Sequence, residues 1–452
     1  MKITIAALAL CLVPAAAAPA QAAAPTFTKD VAPIVWNHCA SCHHAGEVAP
    51  FTLTSYNDVK KRAKQIVKIT RDRVMPPWKP EPGYGEFHGD RRLSDEQIRT
   101  IEAWAAAGAP EGDAGDLPPL PKFADGWLLG EPDVIVKLPQ PYALRADGPD
   151  VFRCFVMPID VPAGKFVRAV DFRPGNRKVT HHALTFLDTS GAARRLDDRD
   201  PEPGYAAMGG VGFLPSGGLG GWAPGAPPHQ FPPDAAKRIA PNTDVVVQVH
   251  FHPSGKAEHE QFQLGVYLTD RAPTRALVTV PIGLRSSIDI PPGVKDYKWA
   301  DSFTTPVPVE VPGLTPHAHY ICRDMKVWAT PPGGEKQWLL WIKDWDFDWQ
   351  GQYRYKQPQK FPAGTKFEME YTYDNSADNP RNPSNPPQRV RRGEQTTDEM
   401  GITFVQMMPA SMADAQAIRQ AMREKVVGGG VAELLKRRLG GAAGAATTRP
   451  AK

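Results

Sequence analysis

The sequence predicts a multidomain chain in which a small all-α domain precedes two all-β sandwich domains and a short C-terminal helix. Three observations predict it. The chain has 452 residues, about three average domains at roughly 150 residues each. Apolar residues recur at helical spacing before residue 113 and in short β-rich runs after residue 127. Proline is abundant, 48 residues spread throughout, and each one interrupts helices and central strand ladders, so short strands and long loops are expected.

The first residues bear on the compartment. Lys2 is followed by an apolar run from Ile3 to Val13 and then by Ala20-Gln21-Ala22, the small-x-small form of a signal-peptidase site, so residues 1–24 are expected to be a cleaved signal peptide. The run is too short to span a bilayer, and Leu10 is too large for the small position before a lipidated cysteine at Cys11. No later stretch approaches the roughly 20 apolar residues of a membrane helix. A periplasmic or secreted protein that does not span a membrane is therefore expected. Hydrophobic residues at 42% and charged residues at 23% suit ordinary globular cores. The net charge of +4 comes from mixed signs. Its tight basic cluster, Arg389, Arg391 and Arg392, reads as a solvated loop, and no nucleic-acid partner is expected.

Residues 25–113 carry the first chemical motif. Cys39-Ala40-Ser41-Cys42-His43 is C-x-x-C-H, the attachment signature of one covalent haem c, in which two thiols bond the porphyrin and the adjacent histidine ligates iron. A redox dithiol would need a βαβ setting, and a zinc site a second ligand pair. Val31, Ile34 and Val35 recur at helical spacing before the motif. A second helix is expected from Ser94 as N-cap and Gln97 three residues on, with Ile98, Ile101 and Trp104 on one face, stopped by Gly108 and Pro110. The segment thus reads as a cytochrome c-like domain. Met75, in Arg73-Val74-Met75-Pro76-Pro77-Trp78, is the expected sixth iron ligand, with His88 and His44 as the competing assignments.

Residues 114–126 are rich in Pro and Gly and read as a semi-rigid linker. Two strand-rich domains are expected at 127–275 and 276–410, from runs such as Val134–Val136, Val245–Phe251, Met325–Ala329 and Phe367–Tyr373. Trp341, Trp345, Phe347 and Trp349 fall on one side of an alternating run, with Asp344, Asp346 and Asp348 on the other. This reads as a sandwich core facing inward with the acids in water, rather than as a ligand platform. Residues 411–452 read as a helical segment with a Gly428-Gly429-Gly430 break and a disordered tail. Of the cysteines outside the haem motif and the signal, Cys154 and Cys322 either pair or stay buried as small hydrophobes; a bridge is the expectation carried forward.

Three histidine clusters stand out in the β region: His181-His182, His250 with His252 nearby, and His317-Ala318-His319. Imidazole is the commonest ligand of copper and zinc, so such clusters are metal candidates first. Residues two apart in a strand share a face, so His317 and His319 can bind one ion side by side. His181 and His182 are adjacent and can share a metal only at a bulge or strand end. His250 closes the run Val245-Val246-Val247-Gln248-Val249, while His252 reads as a satisfied polar side chain.

The ordered series His-His, Gln-Val-His, His-x-His and Thr396-Thr397-Asp398-Glu399-Met400 resembles the metal signature of the copper type II, ascorbate-dependent monooxygenases, over about Trp127 to Met408. The resemblance implies a pair of jelly-roll sandwiches with one copper on each. It implies an electron-transfer copper on His181, His182 and His250, and an oxygen-activating copper on His317, His319 and Met400. With the cytochrome c segment ahead of it, the chain is similar to a bacterial branch of that architecture. Two histidines and a thioether suit Cu(I), and three histidines suit a centre cycling between Cu(I) and Cu(II). Peptide-hydroxylating members hold a substrate carboxylate with an arginine and a tyrosine where this chain has Thr315 and Phe404, so a peptidylglycine substrate is not expected.

The function these readings favour is a periplasmic copper-dependent monooxygenase, using O2, a small organic substrate and a periplasmic electron donor or ascorbate-like reductant, with haem relaying electrons. A haem and copper electron-transfer protein without oxygenase activity is the alternative. A sandwich module that only binds copper or a partner is a third.

Overall fold

The computed structural model describes residues 24–425 and 428, apart from 48, 124–125, 208–209, 285–286 and 394. Its strand Asp244–Phe251 is buried along its whole length. Val245, Val247, Val249 and Phe251 enter one core, while Val246 packs on the opposite side with Cys154 and Tyr205. A strand buried on both faces belongs in the middle of a sheet, and this one lies antiparallel between Val151–Pro158 and Thr180–Asp188. Tyr205–Ala206 and Gly217–Trp222 complete a five-stranded sheet. It shares its core with a four-stranded sheet in the order Val134–Lys137, Gln263–Thr269, Phe166–Arg173, His229–Gln230.

A second pair of sheets follows. Val278–Ile282, Gly401–Pro409, Val309–Ala318 and Tyr353–Phe361 form one, in that order; Tyr297–Thr304, Lys366–Tyr373, Cys322–Thr330 and Gln337–Ile342 form the other. Their shared core holds Trp299, Phe367, Tyr371 and Tyr373. Buried tyrosines need a partner for the hydroxyl. Tyr371 donates to the Ile402 carbonyl at 3.1 Å and Tyr373 to that of Met400 at 2.8 Å, tying this core to the candidate thioether ligand and the strand that follows it.

The described residues divide into two units. One comprises residues up to His44, Phe51–Val74 and Leu93–Pro121; the other comprises Ala45–Pro50, Met75–Arg92 and the chain from Lys122 onward. The first carries a π-helical turn, Phe27–Val31, running into the helix Ala32–His38, then the helices Tyr56–Lys61, Ala63–Arg71 and Asp95–Ala106. The last begins with a capping box: Ser94 Oγ accepts from the Gln97 amide at 3.1 Å, and Gln97 Oε1 accepts from the Ser94 amide at 2.8 Å. Ile98, Ile101 and Trp104 are its buried face.

These observations correct the expected fold class. The chain is mostly β, 33% strand against 16% helix, its helices are few and scattered, and among the described residues no N-terminal all-α cytochrome c domain is evident. The stretch 25–113 is not one body because Phe87 and Trp78 pack on the second sandwich core, and Phe87 forms a β-bridge with Tyr355. Helical spacing on either side of Met75–Arg92 assigns that segment to its sequence neighbours, whereas its packing places it with the β unit.

Two further expectations are corrected. The aromatic and acidic alternation does not continue as a strand: the strand ends at Ile342, and residues 343–350 form a loop. Cys154 and Cys322 are both free. Each is buried in a different hydrophobic cluster, Cys154 with Tyr205 and Val246, Cys322 in the second sandwich, so no bridge joins them. Residues 412–425 are helical. The expected signal peptide up to residue 23, and the glycine break and tail except Gly428, lie outside the described residues. Among the described residues no helix is long and apolar enough to cross a membrane.

His229 illustrates how closely the first sandwich is packed. A Cβ on Gly220, whose φ is +103°, would stand 2.6 Å from the His229 ring, so the ring lies on the bare backbone of that strand. Burial pushes His229 down to about 4. The folded value lies below the ordinary one, so acid protonates the unfolded chain first. Stability from the neutral ring is therefore complete above about pH 6.5 and is lost as pH falls toward 4. The urea midpoint of the metal-free protein should drop across this range, and His229→Gln should flatten the drop; an equal slope in the variant would refute the role of His229.

Candidate metal centres

Strand pairing steps from Thr180 opposite Phe251 to His182 opposite His250, which leaves His181 as the extra residue of a bulge. That irregularity lets two adjacent histidines approach one point, which an even pleat forbids. The chain entering the bulge is fixed by Glu260, a fully buried carboxylate that accepts from the amides of Gly175 and Asn176 at 2.6 and 2.7 Å and from Thr180 Oγ1 at 2.9 Å.

The side-chain nitrogens of His181, His182 and His250 converge, with one from each lying within 4.8 Å of the others. His182 Nδ1 is 3.2 Å from His181 Nδ1 and 3.4 Å from His250 Nδ1. His250 Nε2 lies 2.8 Å from Asp150 Oδ2. An ionised carboxylate only accepts, so Nε2 carries the proton and the Nδ1 lone pair faces the other two rings. The other oxygen of Asp150 meets His252 Nδ1 at 2.8 Å, outside the triad. Burial, reinforced by the neighbouring imidazoles, pushes His181 down to about 3 and holds His182 well below the usual imidazole range. Neutral rings with converging lone pairs are the form of imidazole that ligates a metal.

His317 and His319 lie two apart at the end of Val309–Ala318, where His317 pairs with Ile402 and Ala318 with Gly401. Continuing that register brings His319 opposite Met400. Their backbones are joined by Glu399, whose Oε1 accepts from the amides of both His319 and Met400. His317 Nδ1 faces Gln350 Oε1 at 2.7 Å, and His319 Nδ1 faces the Asp398 carbonyl at 3.2 Å. Both acceptors take the Nδ1 proton, so Nε2 is the free donor atom on each ring. Burial holds both rings neutral, with His319 pushed down to about 3. Met400 itself is buried. Thus one cluster offers Nδ1 and the other Nε2.

The two clusters are near neighbours. Phe347, in the 343–350 loop, stacks on His181 with ring centroids 5.0 Å apart and meets His319 edge-on at 5.8 Å. A cleft of about 220 Å³ opens on the triad, walled by Asp150, Arg177, His181, His250, Tyr320 and Phe347. Thr315 and Phe404, the positions that depart from the carboxylate-binding pattern, are cross-strand partners and present no positive charge.

In the first unit, Cys39 and Cys42 are unbridged, and the amides of Cys42 and His43 both donate to the Cys39 carbonyl. His43 Nδ1 meets the Phe51 carbonyl at 3.0 Å, which leaves Nε2 as its donor atom. His44 Nδ1 meets the Ala40 carbonyl at 2.9 Å in the same manner. Two thiols and an oriented imidazole fit covalent haem attachment. Met75 opens the Met75–Arg92 segment, which groups with the β unit.

Four residues beside the candidate centres lie outside the donor sets that the sequence offers: Asp150, Gln350, Phe347 and Glu399. The first two lie 100 and 33 residues from the histidines they hold, with no local pattern to flag them. Glu399 stands inside the Thr-Thr-Asp-Glu-Met motif, where its place beside the thioether was the available signal.

Comparison with known proteins returned no matching family model and no matching curated protein.

Because Asp150 fixes the tautomer of His250, Asp150→Ala should weaken metal binding at the triad by about 10- to 100-fold and leave the His317–His319 cluster unchanged. Chelator competition on the metal-free protein measures this; equal affinity in variant and parent would remove Asp150 from the centre.

Proposed function

We propose that this chain is an exported copper-dependent monooxygenase of the copper type II, ascorbate-dependent kind. One copper would be held by His181, His182 and His250, a second by His317, His319 and Met400, and haem c by Cys39, Cys42 and His43. The observation that carries the reading is the convergence of imidazole nitrogens from two strands distant in sequence beside a second histidine pair whose donor atoms are also fixed. The donor sets agree with copper: three imidazoles at one centre, two imidazoles and a thioether at the other.

When bound, the two coppers would supply one-electron redox capacity and oxygen activation, and the haem a relay from a periplasmic donor or ascorbate-like reductant. Overall, one atom of O2 enters a C–H bond of the substrate, and the other leaves as water with two electrons and two protons. The protein's own contribution is positional. Asp150, Gln350 and the Asp398 carbonyl hold ring protons away from the centres, and burial keeps the rings from taking a second proton in acid. The uncharged pair Thr315 and Phe404 favours a small organic substrate without a carboxylate.

Copper and iron analysis of the purified chain should give about two coppers per haem. Under labelled dioxygen with a reductant and a panel of small neutral organic compounds, label should appear in a product. His317→Ala should abolish that incorporation while the haem absorption and the copper signal of the triad persist. Electron passage without label in any product would favour the electron-carrier alternative, and zinc at both centres would exclude redox work there.

A further inference from the structure

The loop carrying Trp345, Phe347 and Gln350 reaches both histidine clusters. The Trp345 indole N–H donates to the His319 carbonyl at 3.1 Å, and Gln350 accepts from His317. Between these two residues, Phe347 is 4% exposed yet belongs to neither sandwich core. Its ring neighbours are instead His181 at 5.0 Å, His319 at 5.8 Å and Tyr320 at 4.7 Å. A large apolar ring buried outside either core and flanked by one histidine of each cluster calls for a role other than core packing.

The acidic side of the same loop anchors it. Arg381 makes two hydrogen bonds to the Asp344 carboxylate, at 2.7 and 3.1 Å, and also donates to the Trp345 carbonyl. Lys79 lies 3.5 Å from Asp344 and 3.4 Å from Asp346. The alternation of aromatic and acidic residues therefore has a physical meaning: Trp345 and Phe347 reach the histidines, while Asp344 and Asp346 are held by two cations.

We propose that Phe347 is a positioning residue shared by the two metal centres, setting the His181 ring by face-to-face packing and the His319 ring by its edge. The inference rests on the copper reading for the identity of the metal and on the ring geometry for everything else. Side chains that orient metal ligands contribute about 10- to 100-fold in affinity. A residue that orients one ligand of each centre weakens both when it loses its flat face. Asp150 and Gln350 each act on one cluster and serve as single-centre references.

The test is copper titration of the full-length chain and of Phe347→Leu, Phe347→Tyr, Asp150→Ala and Gln350→Ala. Cu(I) affinities are measured against a competing chelator and Cu(II) environments by electron paramagnetic resonance. Phe347→Leu is expected to weaken both copper equivalents about tenfold and to shift both Cu(II) signals. Phe347→Tyr, which keeps the ring, should restore affinity and signals, a rescue that mere filling of space would not require. Each reference variant should weaken one equivalent only. If Phe347→Leu does not fold, Phe347→Met, long and apolar but without a flat face, takes its place. Loss at a single centre, or parental affinity at both, overturns the shared role and leaves the copper reading standing. A parent chain that takes up no copper overturns both.

Discussion

A neutral imidazole has two nitrogens and one proton, and whatever accepts that proton decides which lone pair remains to face a metal. Each candidate centre depends on that choice. Asp150 accepts a hydrogen bond from Nε2–H of His250, whereas Gln350 and the Asp398 carbonyl accept from Nδ1–H of His317 and His319. The Phe51 carbonyl does the same for His43. Burial supplies the other half of the condition by resisting a second proton on the ring, as the depressed values of His181 and His319 record. Orientation and neutrality together turn clustered histidines into ordered donor sets.

The two sandwiches support their histidines by a common device. Each carries a glutamate with no exposed surface that accepts backbone amides beside the histidine-bearing segment: Glu260 ahead of His181, and Glu399 at His319 and Met400. Burial raises both carboxyls, Glu399 to about 8. An interior carboxyl is costly unless its hydrogen-bonding capacity is used. Glu260 uses both oxygens and Glu399 uses Oε1 where strand pairing ends and the backbone would otherwise be free to shift, so the cost falls where positional accuracy matters to the candidate metal ligands.

Much of the site was legible in the sequence because chemistry is written in residue type and spacing. C-x-x-C-H, the His-x-His pair and the adjacent His181-His182 all announced donors, and the period-two rule identified a bulge or strand end as the condition for the adjacent pair to cooperate. Glu399 apart, what escaped had no local signature of its role. Asp150 acts across 100 residues, and Phe347 sat in an alternation that looked like strand but is loop. The fold class failed for a related reason. Helical periodicity on both sides of Met75–Arg92 hid the fact that this insert packs on a distant β core. Cys154 and Cys322 show the same limit, since residue type alone could not reveal that they are buried in different clusters.

The bulge at His181 ties the triad to the length of the chain as well as to its composition. Removing a single residue between Thr180 and His182 would let the ladder with Asp244–Phe251 close into an even pleat, with one imidazole lost and the alternation before His182 reversed. Descendants of this protein can therefore exchange side chains around the triad one at a time and compensate later. A gap in an alignment at this point would mark a lineage in which the three-imidazole arrangement had been abandoned.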